Sequence, residues 1–339
     1  MLDCAIEMPE QIIQAEEAAR TFHEGDIPLD RSSIHLVGLG GSAVAGELLT
    51  DMLSPRQVIS IHRGINPPRD KRGVIVSSYS GNTSEVLELA GRVTGGLRTV
   101  VFMTSGGKLA YLSDEWSIPA WLIPTGYQPR AAIGWSLSLV LALMERWGVV
   151  NKVHEKLIKA ARRLKASLDR DKLSEHILTR AALPIASALK DKKVVIFHSH
   201  QCTGAATRLA AQIAENGKQP AFPLVVPEAM HNVVQGIACD DKECWALIFM
   251  TDPGDPLSLR ESMRSAMTYF TGLGFDCLPY PAAGDDAFEL TLSRLFLADL
   301  VSLFLAALKG VDPTPISIIT DLKMDIQSGD EPKGRGEDG

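Results

Sequence analysis

Residues 33–50, SIHLVGLGGSAVAGELLT, constrain the fold more than any other stretch. The apolar run Ile34 to Val37 ends in Gly38-Leu39-Gly40-Gly41-Ser42, and helix-favouring residues follow at once. This pattern is a strand, a glycine turn and a helix N-terminus. Glycines remove the Cβ atoms that would hold an anion off the backbone, while the first-turn amides and the helix dipole favour negative charge there. The stretch therefore predicts a phosphate site. Gly38-x-Gly40-x-x-Ala43 also fits a loose dinucleotide fingerprint, and Arg63, after the strand-like run Val58 to His62, could suit a 2′-phosphate. Which phosphate is bound has to be decided by other parts of the chain.

Helical spacing of Ile12, Ile13, Ala15, Ala18, Ala19 and Phe22 predicts a helix over residues 8–24 ahead of that strand. Further strand-like runs follow at Gly73 to Ser78, Arg98 to Met103 and Pro119 to Pro124, with a helical stretch from Thr83 to Arg92. Strand and helix alternate throughout, which predicts an α/β fold with a parallel sheet covered on both faces. Ligands of such sheets sit in the loops beyond the carboxyl ends of the strands.

Three of those loops have suitable chemistry: Gly38 to Ser42, Ser78 to Glu85 and Thr104 to Lys108. In the second, Ser78, Ser80 and Thr83 place hydroxyls around Gly81 at a helix start, a set that can wrap a terminal phosphate. A dinucleotide pyrophosphate needs mainly close backbone approach and would not call for these hydroxyls. The plainer reading is a Ser-Gly-Asn turn with Thr83 or Ser84 as a helix cap. Thr125 to Arg130 then turns into the apolar run beginning at Ala131. The dipole disfavours a cation at a helix start, so Arg130 is a candidate anion ligand, against the plain reading of a solvated arginine.

At 339 residues the chain can form two domains, each with its own core. A net charge of −7 with dispersed Lys and Arg offers no basic field for nucleic acid. Met1-Leu2-Asp3-Cys4 is acidic where a signal peptide would be basic, and no apolar stretch follows it, so a cytoplasmic chain is expected. The apolar runs Ala131 to Met144 and Leu295 to Leu308 are shorter than a bilayer span, so no membrane partner is expected and both read as buried helices. Cys4, Cys202, Cys239, Cys244 and Cys277 are scattered and lack a paired spacing, which argues against a metal site or a disulfide framework.

Residues 151–190, rich in Lys, Arg, Ala and Leu, read as a helical, solvated linker that Pro184 breaks. A second alternation begins at Val194 to His198 and runs through a helix to Asn216, so the fold reads as duplicated, with only the first copy keeping the glycine turn. Glu215 ends that helix, where a carboxylate meets the unfavourable pole of the dipole, and His231 lies in the first turns of the next. A carboxylate and an imidazole near each other can serve as base and acid in sugar chemistry, although either alone is more often solvated or structural. Trp245 to Met250 and Phe275 to Leu278 read as strands, Pro256 to Phe270 and Asp286 to Leu308 as helices, and a last helix carries Lys323 before a polar tail at 327–339.

Seven segments in order resemble the bifunctional phosphoglucose/phosphomannose isomerases, a branch of the SIS-domain sugar isomerases. They are GLGGSAVAGELL at 38–49, SYSGNTSEVL at 78–87, TSGGKL at 104–109, PRAAIG at 129–134, AENGKQPAF at 214–222, PEAMHN at 227–232 and DPTPISIITDLK at 312–323. The resemblance implies two SIS domains, each a parallel sheet flanked by helices. The first spans 1–150 and binds the sugar phosphate; the second spans 191–326 and holds the catalytic residues. It implies that the phosphate of a hexose 6-phosphate lies against Gly40, Gly41, Ser42, Ser78, Ser80 and Thr83. By the same resemblance Glu215 is the base, His231 and Lys323 assist ring opening, and Arg130 sits near C1 and C2. No cofactor or metal is implied. The family is typically dimeric, with the histidine supplied by the partner subunit.

Leu209-Ala210 and Gly217 depart from the family pattern, and Thr314 is a candidate for making room at C2. Two other readings compete with the isomerase. One is a sugar-phosphate-binding SIS regulator, which would not need both Glu215 and His231. The other is an NADP-dependent oxidoreductase, resting on Gly38, Gly40, Ala43 and Arg63.

Overall fold

The computed structural model describes residues 1–328 apart from 24, 55–57, 65, 67–69, 95–98 and 169; the tail expected at 327–339 lies outside the described residues from 329 onward. Two parallel sheets organise the chain. The first has the order β2-β1-β3-β4-β5, from β1 (Asp30–Gly38), β2 (Ile59–His62), β3 (Arg72–Ser77), β4 (Val100–Thr104) and β5 (Ala120–Leu122). The second has the order β7-β6-β8-β9, from β6 (Lys193–His198), β7 (Ala221–Val225), β8 (Trp245–Met250) and β9 (Asp276–Pro279). Around the first lie α1 (Leu2–Thr21), α2 (Gly41–Leu53), α3 (Ser84–Val93), α4 (Gly107–Trp116) and α5 (Ile133–Arg146). Then come α6 (His154–Ser167) and α7 (Ile177–Leu189), followed by α8 (Thr203–Glu215), α9 (Val233–Ala238), α10 (Leu257–Gly272), α11 (Ala287–Lys309) and α12 (Ser317–Ser328).

Among the described residues, strand alternation divides the interior into three cores. Along β1, Ile34 and Leu36 enter a central core, while Val37 faces an outer one with Val74, Val76 and Phe102. In the second sheet Ile196 and Ile248 face the centre, and Val195, Phe197, Leu247 and Phe249 face a third core. Both faces are buried, which is why these strands read as continuous apolar runs. The central core is shared by the two sheets, and α11 runs through it against α1, α2, α6, α7 and α8. α11 is capped by Asp286, which accepts from the Phe288 and Glu289 amides at 2.9 and 3.0 Å, and ends at Gly310 with φ +66°. It is long and apolar enough to cross a bilayer, but 83% of its most apolar window is buried inside the protein.

The stretch at 151–190 differs from the solvated linker expected. Its helices α6 and α7 bury Leu157, Ile158, Ala161, Leu178, Ala182, Ile185 and Leu189 in the central core. Pro184 lies inside α7 without ending it, because both Pro184 and Arg180, whose carbonyl loses its partner, are on the exposed face. The reading also lacked β7, whose Pro223 pairs with Ile196 in register; an edge strand tolerates the missing amide. α1 starts at Leu2 rather than at residue 8, since Ala5 and Met8 already belong to the core.

Burial is the main cause holding His62, His154, His176 and His198 below the ordinary imidazole value of 6.5. Groups whose folded value is lowered bind fewer protons than in the unfolded chain, so stability rises with pH below 6.5 and falls as pH drops. His154 therefore takes stability from the wild type between about pH 7.5 and about pH 5.5, a loss that urea unfolding reads against a His154 variant. His154→Gln, which can keep the bond to the Ser138 hydroxyl, should lose less of its midpoint over that range than the wild type; equal losses would contradict it.

Candidate active site

The carboxyl ends of β1, β3 and β4 bring three loops together on one edge of the first sheet. α2 starts behind Gly40, whose φ of +53° suits glycine, and the helix receives no side-chain cap. Ser42 is buried and its hydroxyl accepts from Ser77 at 2.9 Å. Ser78, also buried, lies 3.0 Å from the Thr83 hydroxyl, while Ser80 stays exposed and accepts from the Asn82 amide at 3.3 Å.

The loop after β3 is locked onto the loop after β4. Gly81 has φ +66°, and a Cβ there would come within 1.9 Å of the Gly106 carbonyl. Ser105 donates to the Tyr79 carbonyl at 2.6 Å, and Lys108 donates its amide to Asn82 Oδ1 at 2.9 Å. Tyr79 donates its hydroxyl to the Pro124 carbonyl at 2.9 Å and accepts from the Tyr127 amide at 3.0 Å. One tyrosine thus ties the hydroxyl loop to the segment leading into Arg130.

Arg130 lies in a 3-10 turn, Pro129–Ala131, directly beside the glycine turn. A Cβ on Gly41 would sit 3.3 Å from the Pro129 carbonyl and 3.7 Å from Arg130 Cα. Its side chain is 3% exposed and is held on several sides. Nε donates to Asn216 Oδ1 at 2.9 Å, and Nη2 donates to the Pro313 and Thr314 carbonyls at 2.7 and 3.0 Å. Nη1 faces Glu215 Oε2 at 3.4 Å and has no hydrogen-bond partner among the described residues. Burial pulls the guanidinium below its usual value, Glu215 pushes it back up and Arg208 pulls it down.

α8 carries the supporting groups on one stripe at Arg208, Gln212, Glu215 and Asn216, a spacing that puts them on one helix face. Arg208 donates to the Arg130 carbonyl at 2.8 Å and pairs with Asp299 of α11 at 2.7 Å; Gln212 donates to the same Asp299 oxygen at 2.6 Å. Asn216 passes the chain on to Ser302 at 2.9 Å. Lys218, at φ +50°, donates to the Glu215 carbonyl and, at 2.6 Å, to the Pro315 carbonyl. Sequence reasoning missed Tyr79, Arg208, Gln212, Asn216 and Lys218 as working parts. The stripe on α8 was the available signal for three of them.

Gly40, Gly41, Ser42, Ser78, Ser80 and Thr83 line one edge, and the turn of Gly41 adjoins Arg130 and, through it, Glu215. His231 and Lys323 both have exposed side chains, in the 3-10 turn Glu228–His231 and in α12. Among the described residues no hydrogen bond or ion pair joins either to Arg130 or Glu215. Thr314 contributes its carbonyl to Arg130. Leu209 and Ala210 are packed in the central core, and a Cβ at Gly217 would lie 2.8 Å from Leu305 Cδ2, so glycine suits the leucine present. Arg63 is engaged by Glu47 at 2.6 Å rather than free for a 2′-phosphate. Among the described residues no group of three or more His, Cys, Asp or Glu could hold a metal, and the cysteines are free.

Residues 179–326 match the family described as bacterial phospho-glucose isomerase C-terminal SIS domain. A bifunctional phosphoglucose/phosphomannose isomerase of Caldicellulosiruptor bescii is 29% identical over 333 residues, covering 95% of this chain and 98% of its own. The protein of the same description from Aquifex aeolicus is 28% identical over 304 residues, covering 86% and 89%. Over most of its length the chain is thus similar to the bifunctional phosphoglucose/phosphomannose isomerases, and its second half to the C-terminal SIS domain of bacterial phospho-glucose isomerases. In fold it is also similar to a hypothetical protein of Thermus thermophilus, with a TM-score of 0.73 at 18% identity over 96% of this chain and 90% of the other.

The interlocked loops define a test of the site's architecture. Gly81→Ala should cost about 2–4 kcal/mol, since its Cβ overlaps the Gly106 carbonyl and its φ is left-handed. Urea unfolding would measure the cost, and an unchanged midpoint would show that the two loops are not locked together.

Proposed function

We propose that the protein interconverts glucose 6-phosphate and mannose 6-phosphate with fructose 6-phosphate, at the site built from the glycine turn, the hydroxyl loop, Arg130 and Glu215. The observation that supports this reading most is the Arg130–Glu215 pair at 3.4 Å, with its unpartnered Nη1, set beside the turn of Gly41. The phosphate would take the α2 amides and the hydroxyls of Ser42, Ser78, Ser80 and Thr83, which leaves C1 and C2 to reach Arg130 and Glu215.

In the open-chain aldose, the Glu215 carboxylate takes the C2 proton, the C2–H electron pair forms the C1–C2 double bond, and the carbonyl oxygen becomes an enediolate oxygen. The proton of the C2 hydroxyl passes to the C1 oxygen, the C2–O bond becomes the new carbonyl as the C1–C2 double bond is used up, and Glu215 returns its proton to C1, giving the ketose. Arg130 Nη1 offers a fixed, desolvated donor to the enediolate oxygen. The intermediate has lost the C2 configuration, so one site can serve both epimeric aldoses. His231 and Lys323 would exchange protons with the ring oxygen and the C1 hydroxyl during ring opening.

His231 would reach the site from the partner subunit of a homodimer. Its exposure supports this, as do the exposed apolar side chains of Ile318, Ile319 and Leu322 on α12, which a second copy would cover. A cytosolic location belongs to the same proposal, because charged sugar phosphates are retained where they are made.

Glu215→Gln should lower kcat at least about 10²-fold in a dehydrogenase-coupled assay with fructose 6-phosphate. Mannose 6-phosphate, followed through added phosphoglucose isomerase, should show the same loss; retention of wild-type turnover would exclude Glu215 as the base. Mixing Glu215→Gln with His231→Ala chains tests the shared site. Hybrid dimers would carry one intact site each, so about a quarter of wild-type activity should return after subunit exchange. No recovery in demonstrated hybrids would place His231 in its own subunit's site or outside the reaction.

A further inference from the structure

The two sheets repeat one strand–turn–helix unit at matching places. β1 leads into α2 beside β2, and β6 leads into α8 beside β7. The starts of these two helices differ. At α2 the glycine turn leaves the first amides without a side-chain cap. At α8 a carboxylate from the other half of the chain is already in place. Asp51, on the last turns of α2, accepts from the Gly204 amide at 3.1 Å with Oδ1 and from the Ala205 amide at 3.0 Å with Oδ2. Asp51 is 5% exposed. A Cβ on Gly204 would come within 2.4 Å of the Leu48 nitrogen, so the α2 backbone lies directly on the start of α8.

We propose that Asp51 is a built-in anion, occupying at α8 the position that the substrate phosphate takes at α2, and that it thereby positions Glu215. The two helices form a cross-brace. α2 holds the phosphate turn at its start and Asp51 near its end, about 15 Å away; α8 is held by Asp51 at its start and presents Glu215 at its end, about 16 Å away. A helix behaves as a stiff rod over such lengths, so a slip at Asp51 displaces Glu215 relative to the bound phosphate. Asp51 touches no substrate and is a positioning residue. Its carboxylate and the α2 backbone also fill the second unit's helix start, leaving one phosphate site per chain. Burial pushes the Asp51 carboxyl up, to about 8, while the two amides hold it down. Both oxygens accept from amides, so the ionised form is the one this geometry serves.

The inference rests on Glu215 being the base, and the test separates the two. Asp51→Ala in the full chain should lower kcat about 10- to 100-fold, as a misplacement of about 1 Å does, with KM and inhibition by inorganic phosphate nearly unchanged because the α2 turn is intact. Formate fits the space the carboxylate leaves. It should restore kcat saturably and raise the melting temperature of Asp51→Ala, and do neither for the wild type. Wild-type kcat in folded Asp51→Ala would overturn the positioning role, and a lowered kcat that formate does not raise would overturn the anion assignment. Were Asp51→Ala not to fold, the isosteric Asp51→Asn carries the test: a lower kcat at unchanged KM supports the role and an unchanged kcat overturns it. If the wild type itself lacked turnover, the proposed activity would fall, while a formate-dependent rise in the melting temperature of Asp51→Ala would still report the anion position.

Discussion

Burying the Arg130 guanidinium is costly unless its donors are answered, and much of the structure around the site can be understood as that answer. The Asn216 side chain and the carbonyls of Pro313 and Thr314 take Nε and Nη2. Those partners come from the end of α8 and from the segment between α11 and α12, parts of the chain far apart in sequence. Satisfying one cation therefore draws the second half onto the first. What is left over, Nη1, faces Glu215. The site's electrostatics and the joining of the two halves are consequences of the same buried charge.

That arrangement needs α8 in one place, and three independent contacts hold it there. Arg208 and Gln212 share Asp299 of α11 in the centre, Lys218 ties its end to Pro315, and Asp51 holds its start. Gly204 permits the closest approach, since a Cβ there would overlap the α2 backbone. A helix braced at start, middle and end can offer a carboxylate at its C-terminal pole, where the dipole alone would disfavour it.

The first sheet's glycine turn, the hydroxyl loop and the alternation of elements were legible because they depend on local chemistry: the positive φ of Gly40 and Gly81, and continuous apolar runs where a strand is buried on both faces. Pro184 and the 151–190 segment were not, because a proline is harmless where the freed carbonyl faces water, and composition does not reveal which face of a Lys-rich helix meets a core. β7 was hidden by Pro223, tolerable only because the strand lies at an edge. Asp51 looked like one more helix residue. Its partners are about 150 positions away, and no local pattern announces them.

From sequence alone follow the two parallel α/β units, the glycine turn at the start of α2 and the residue types able to move a proton, since backbone sterics, dipoles and side-chain acidity act over a few residues. Only the tertiary structure decided which of them meet. Arg130 joins Glu215 and the Gly41 turn, while among the described residues no hydrogen bond or ion pair ties His231 or Lys323 to them. The difference is physical: local chemistry is written in adjacent residues, whereas the pairing of a buried cation or carboxylate depends on how whole helices pack.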